Sequence, residues 1–141
     1  MIKCIGRMQI YSILSVLTAL IVYVTTHCPP KENLPKSTNG KLLCARLYEN
    51  THTDVNLACR GSYFDVADGV TMPKMGNWRY RVSAVVVRKG CAIKLYSSVH
   101  FGGNSRTLRA GRHHDLRQYH RSFWIWKNWN DATASFRCHC I

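Results

Sequence analysis

The run Cys91-Ala92-Ile93-Lys94-Leu95-Tyr96-Ser97-Ser98-Val99-His100-Phe101-Gly102-Gly103 decides the fold of this 141-residue chain. Residues 92–96 form a short run, apolar but for Lys94, of the kind that reads as a strand. Tyr96 is followed by a second aromatic, Phe101, and then by Gly103. That spacing suits a folded hairpin whose aromatic corner tucks back on itself, with glycine supplying a backbone shape that a side chain forbids. The segment opens on one cysteine and the chain closes on two more, Cys138 and Cys140.

Outward from this stretch, short apolar runs recur at 42–48, 55–57, 62–66 and 84–87, and again at 92–96, 106–108 and 134–137. Turn residues such as Asp68-Gly69 separate them, so the pattern is one of strands. No helix-period segment stands out, and Asp115 to Tyr119 has room for one short turn. Lys89-Gly90 is expected to divide the chain into two halves that echo each other. Cys44-Ala45-Arg46-Leu47-Tyr48 matches Cys91-Ala92-Ile93-Lys94-Leu95-Tyr96 with one residue added, and Ser83-Ala84-Val85-Val86 matches Ser135-Phe136-Arg137. Connections this short have no space for crossover helices, which favours two Greek keys packed as one small sandwich.

The chain begins with a short basic head carrying Lys3 and Arg7, then an apolar run from Met8 to Val24. This reads as a secretory signal peptide over 1–26; the run is shorter than the roughly 20 residues of a spanning helix, and no basic cluster follows it. Residues 27–43 hold Pro29, Pro30, Pro35 and Gly40, the composition of an extended arm. The domain proper is expected over 44–141, with one Greek key in 44–90 and the other in 91–141.

Loss of Cys4 with the signal leaves Cys28, Cys44, Cys59, Cys91, Cys138 and Cys140, an even set that reads as a disulfide framework in an exported protein. Cys138 and Cys140 share one face of a strand, and bridging them to each other would strain the geometry. Each is expected to reach a different partner. A metal site built from Cys138, His139 and Cys140 with His113 and His114 is disfavoured, because His139 points away from its neighbours.

With Lys3 and Arg7 removed from the 20 basic residues, 18 stand against seven acids, 18 − 7 = +11. Such a surface seeks anions: acidic headgroups, acidic glycans, bacterial envelopes. Nucleic acid is not expected, since no recognition motif is present. The segment from Arg117 to Trp129 places three tryptophans among cations. Trp124 and Trp126, with Arg117, Arg121 and Lys127, form a candidate membrane-contact patch, because indoles favour the water–lipid boundary and cations favour anionic headgroups. His100, His113, His114, His120 and His139 are expected to gain charge in a mildly acidic compartment and strengthen such binding. An enzyme is not expected: the acids are few, Asp115 beside His113 and His114 completes no nucleophile–base set, and Ser97, Ser98 and Ser105 lie in turn contexts. No cofactor is implied.

Tyr96, Phe101, Gly103 and Ser135 together resemble the βγ-crystallin Greek-key motif, which implies an all-β, disulfide-stapled, βγ-crystallin-like sandwich. The first half is degenerate, since Tyr48 lacks the following Phe-x-Gly. Asn130-Asp131-Ala132-Thr133-Ala134-Ser135 is similar to the calcium motif of that superfamily, but Ala134 lacks the oxygen a hard cation wants, and no metal is expected. The Cys28-Pro29 opening, Cys44-Ala45-x-Leu47-Tyr48, Cys91, Trp129 and the closing Cys138-x-Cys140 resemble the syncollin family across nearly the whole exported chain. That resemblance implies a lumenal secretory (zymogen) granule protein, peripheral on the granule membrane, self-associating, linked to regulated exocytosis and with a membrane-permeabilising activity; granule membrane proteins, or acidic glycans drawn by the charge, are further candidate partners. It also implies that Trp129 belongs to the core. The competing reading is a secreted cationic antimicrobial or glycan- and cell-wall-binding protein.

Overall fold

The computed structural model describes residues 28–51, 59–121 and 127–141. The signal segment 1–26, the 55–57 run and both Trp124 and Trp126 lie outside the described residues, as do the side chains of Arg112 and His113.

Among the described residues six strands form one antiparallel sheet: β1 Leu43–Asn50, β2 Arg60–Ala67, β3 Thr71–Met72, β4 Ala84–Tyr96, β5 Ser105–Asp115 and β6 Ser135–Cys140, hydrogen-bonded in the order β2-β1-β4-β6-β3 with β5 also on β4. Strand β4 organises the rest. Its Val85-Val86-Val87 run is β-branched and stiff, well suited to a pleated, buried surface. Along one edge, residues 84–87 pair with β1, and residues 91–96 of the same edge pair with β6. Along the other edge β4 pairs throughout with β5, from Ala84↔Asp115 to Tyr96↔Ser105. Two wings therefore share one spine.

The expected break at Lys89-Gly90 is not a break. The strand runs straight through, and Gly90, at φ 79°, absorbs the turn in direction where the register slips between Val87 and Ala92. A charged residue beside glycine looks like punctuation in sequence, but in a curled sheet the same pair serves as a bend. Other strands run longer than their apolar runs, because the polar residues at 109–115 and 138–140 continue the ladders.

The curl brings the wings face to face. Leu47, Val66, Val85 and Val87 of one wing share a single buried cluster with Ile93, Leu95, Leu108 and Phe136 of the other, and Trp129, Leu116 and Val82 fill the space between. Trp129 is 1% exposed, as the family resemblance implied, and Phe64 packs edge-on to Phe136 at 6.3 Å between ring centres. Each such fully buried side chain contributes about 1.5–3 kcal/mol relative to exposure.

A second buried cluster lies on the outer face of the first wing, where Cys28 and Leu34 of the arm cover Leu43, Tyr48, Ala84 and Val86. The arm is held from below by Arg88, whose guanidinium donates to the Leu43 carbonyl at 2.6 Å and to the Leu34 carbonyl. Three disulfides close the structure: Cys28–Cys59 ties the arm, Cys44–Cys138 joins β1 to β6, and Cys91–Cys140 crosses between the paired strands β4 and β6. Cys138 and Cys140 thus go to separate partners.

Candidate functional site

The corner motif assembles as a unit. Tyr96 ends β4, and its ring meets Phe101 in an edge-to-face contact at 5.5 Å. Phe101 sits at φ 61° on a short 3-10 turn; its amide donates to Ser135 Oγ at 3.1 Å, and that hydroxyl donates to the Ser98 carbonyl at 2.7 Å. Gly103, at φ 72°, lies so close to Ser97 and Ser98 that a Cβ would run into their hydroxyls. All four motif residues therefore shape one corner. In the first half, Tyr48 instead packs against Tyr63 at 6.1 Å.

The degenerate calcium motif is committed elsewhere. Asp131, at φ 50°, accepts from Ser83 Oγ at 3.1 Å and from Asn130 Nδ2 at 2.7 Å. Asp131 and Ser83 line an open cleft of about 240 Å³ with Glu49, Asn50, Tyr80 and Arg81. Arg81 brings a guanidinium into the same cleft and pairs with Glu49. Ala134 is fully buried without an oxygen, and the Thr133 hydroxyl beside it is buried and unpartnered among the described residues. This donor set does not fit a hard cation, which requires six or so converging oxygens.

The sulfurs of Cys44, Cys91 and Cys140 lie within 4.8 Å of one another, but all three are in the Cys44–Cys138 and Cys91–Cys140 bridges. Oxidised sulfurs are poor ligands compared with thiolates, so the cluster is two neighbouring staples. His139 sits exposed, opposite Ala92, away from them.

The membrane-contact candidates separate. Arg117 is tied to the buried Asp115, at 2.7 Å between Nη2 and Oδ2 and 3.0 Å between Nε and Oδ1. This pairing holds its guanidinium more firmly charged. Arg121 and Lys127 are backbone partners: the Arg121 amide donates to the Lys127 carbonyl at 2.8 Å, and His120 forms a β-bridge with Asn128. Asn104 adds a bond to the Arg121 carbonyl at 3.0 Å. Arg121 and Lys127 flank Trp124 and Trp126 in sequence. Of the histidines, His114 is half-buried, with Nδ1 2.8 Å from the Tyr119 hydroxyl and Nε2 2.9 Å from the Arg109 carbonyl. Burial, with Arg106 nearby, pushes its pKa below the ordinary imidazole value despite the bond to Arg109.

Lys94, Arg109 and Arg137 had no role in the sequence reading. The register sets Lys94 beside Arg137, and sets Arg109 one row away across Ala92. Strand alternation places each outward, but only strand pairing reveals that they are neighbours.

No helix among the described residues is long and apolar enough to cross a membrane. A structure solved in work on the evolution of the eye-lens βγ-crystallin domain fold is similar at 19% identity over 76% of this chain and 97% of its own, with a TM-score of 0.53. That likeness establishes the fold. In sequence, rat syncollin is 29% identical over 114 residues, 80% of this chain and 83% of its own length. Human syncollin is 27% identical over the same share. The syncollin family profile matches residues 27–140, the whole of the disulfide-stapled sheet with its arm, and with the three bridges and the aromatic corner in place the chain belongs to the syncollin family.

Proposed function

We infer that this protein is a non-enzymatic component of secretory (zymogen) granules, held peripherally on the lumenal face of the granule membrane, self-associating, membrane-permeabilising and engaged in regulated exocytosis. The observation that carries the reading is the family match across the entire exported domain. The site geometry supports it. The corner and calcium-like residues are engaged in structure, and Arg121 and Lys127, which flank Trp124 and Trp126 in sequence, are hydrogen-bonded to each other through their backbones. Lipid headgroups of negative charge suit such a segment, whose indoles would settle at the interface.

Fractionation of exocrine cells expressing the chain tests the reading. The protein is expected on washed granule membranes and in the granule lumen, released by high salt or alkaline carbonate. Free secretion with no retention on granule membranes would overturn it. On vesicles containing anionic lipid, a Trp124→Ala, Trp126→Ala variant with unchanged melting is expected to lose binding; parental binding by that variant would remove the loop from the contact surface.

A further inference from the structure

We propose that the outer face of the second wing is a binding site for a linear polysulfated glycan, read by Lys94, Arg109 and Arg137. These residues are exposed and arranged in two successive rows of the β5-β4-β6 sheet. One row runs Thr107, Lys94, Arg137; the next runs Arg109, Ala92, His139. Neighbouring strands lie about 4.8 Å apart and alternate residues of one strand about 6.7 Å apart. Three full charges and an imidazole therefore share a patch only two rows deep.

Lys94 and Arg137 stand directly opposite each other, an arrangement that costs stability unless an anion lies over it. No carboxylate among the described residues forms an ion pair with any of the three. Glu32, Glu49, Asp65 and Asp115 pair with Lys31, Arg81, Arg46 and Arg117. Asp131 faces Ser83 and Asn130, and Asp68 accepts from the Cys140 amide at 2.8 Å. The cations are also pre-oriented. The Arg137 guanidinium lies 4.1 Å from the centre of the Phe101 ring, and the Lys94 ammonium 5.4 Å from that of Tyr96. Stacking fixes a guanidinium plane while its edge donors remain available to a tetrahedral oxyanion.

The two wings differ in a way that singles this face out. On the outer face of the first wing the arm covers Tyr48, Ala84 and Val86, and the one cation beside them, Arg46, is paired with Asp65. In the rows of the second wing that hold Lys94, Arg109 and Arg137 the described residues leave the side chains exposed, and Ser105 and Thr107 add exposed hydroxyls that suit a sugar chain. A bilayer is the poorer fit: none of the exposed large hydrophobic residues among those described, Leu42, Tyr63, Tyr80 and Ile141, belongs to these rows, and a membrane-seated surface needs such anchors. The site uses none of the loop residues assigned to lipid contact, so it stands or falls separately from that reading.

The test is calorimetric titration of the full exported chain with a size-defined heparin oligosaccharide and with its desulfated, N-acetylated counterpart. The sulfated form is expected to bind with an affinity that weakens steeply as salt rises, and the desulfated form not to bind. A Lys94→Thr, Arg109→Thr, Arg137→Thr variant is expected to lose about tenfold or more, the product of three partly screened charge contacts. A variant carrying Lys36→Thr, Lys41→Thr and Lys74→Thr, with the same net charge, is expected to bind like the parent. Equal losses in the two variants would show a response to net charge alone and overturn the assignment, as would parental binding by the face variant. Amide chemical-shift mapping on the unmutated protein needs no variant to fold. Shifts centred on residues 92–94, 107–109 and 137–139 support the site, and shifts centred elsewhere overturn it. Vesicles containing anionic lipid form a parallel arm: if the face variant loses vesicle binding and keeps heparin binding, the occupant is a membrane and the glycan assignment fails.

Discussion

Replacing Gly103 by alanine tests the aromatic corner at its tightest point. Gly103 and Gly69 have nearly the same backbone, φ 72° and 77°, but a Cβ at Gly69 meets nothing within 4 Å, whereas at Gly103 it meets the Ser97 and Ser98 hydroxyls. A left-handed residue with a side chain costs roughly 1–2 kcal/mol. Both substitutions carry that term. Forcing a methyl group into a packed site adds about 1–3 kcal/mol, and only Gly103→Ala carries this second term. The neighbours there cannot retreat freely: Ser97 Oγ accepts from the Asn104 amide at 2.9 Å, and the turn is pinned through Ser135 to Phe101. Urea unfolding followed by circular dichroism should therefore place Gly103→Ala about 1–3 kcal/mol below Gly69→Ala, the steric term alone. Adding Ser97→Ala to Gly103→Ala should return part of that difference, since the two sites share one contact. If the two glycine variants unfold at the same urea concentration with the same slope, the steric reading of the corner is wrong.

The Cys44–Cys138 bridge spans 94 residues, against 31 for Cys28–Cys59. Loop-closure entropy puts the cost of the Cys44→Ala, Cys138→Ala double variant at about 4–5 kcal/mol and that of the Cys28→Ala, Cys59→Ala pair at about 3.5 kcal/mol; a reversed order in urea midpoints would place the weight on the arm. For His114, the folded-state pKa is depressed below the ordinary 6.5, mainly by burial. Its neutral form fits the fold, so its stabilising share is present above pH 6.5 and is lost as the pH falls through the lower folded value. The urea midpoint should decline between about pH 7 and pH 5.5, less so in His114→Gln, and equal slopes in parent and variant would rule the residue out.

The strands and the corner were legible because they are local. The short apolar run over 92–96 and the Tyr96, Phe101, Gly103 spacing depend on neighbours in sequence, and both describe what the chain does. What escaped was non-local or disguised. Strand β5 continues through Arg109, Gly111 and Asp115, which no apolar period marks, because it is the backbone ladder to β4 that extends it. The two-residue β3 is too short to leave a pattern and exists only because β6 offers it an edge. The disulfide pairing depended on which wings meet, which spacing does not encode. The same holds for the cationic face. Lys94, Arg109 and Arg137 are far apart in sequence, and only the antiparallel register makes them one surface. Arg117 shows a local partner that spacing did not flag: Asp115, two residues earlier, pairs with it.

The two halves show how one architecture is kept closed by different means. In the second half the turn after β4 is locked by the Tyr96–Phe101 contact and the Ser135 hydroxyl. The first half keeps the tyrosine but not the Phe-x-Gly. The equivalence survives in the backbone: the Ser83 amide donates to the Tyr48 carbonyl at 2.9 Å just as the Ala134 amide donates to the Tyr96 carbonyl at 2.9 Å. What replaces the corner is the arm. Cys28 and Leu34 cover Tyr48, Ala84 and Val86, Arg88 holds the Leu34 and Leu43 carbonyls, and Cys28–Cys59 anchors the segment leading into β2. A local aromatic lock in one half is thus exchanged for a non-local covalent lock in the other. The exchange buries Tyr48, Ala84 and Val86 on the outer face of the first wing. The second wing keeps its own lock, and among the described residues its outer face carries exposed charge at Lys94, Arg109 and Arg137.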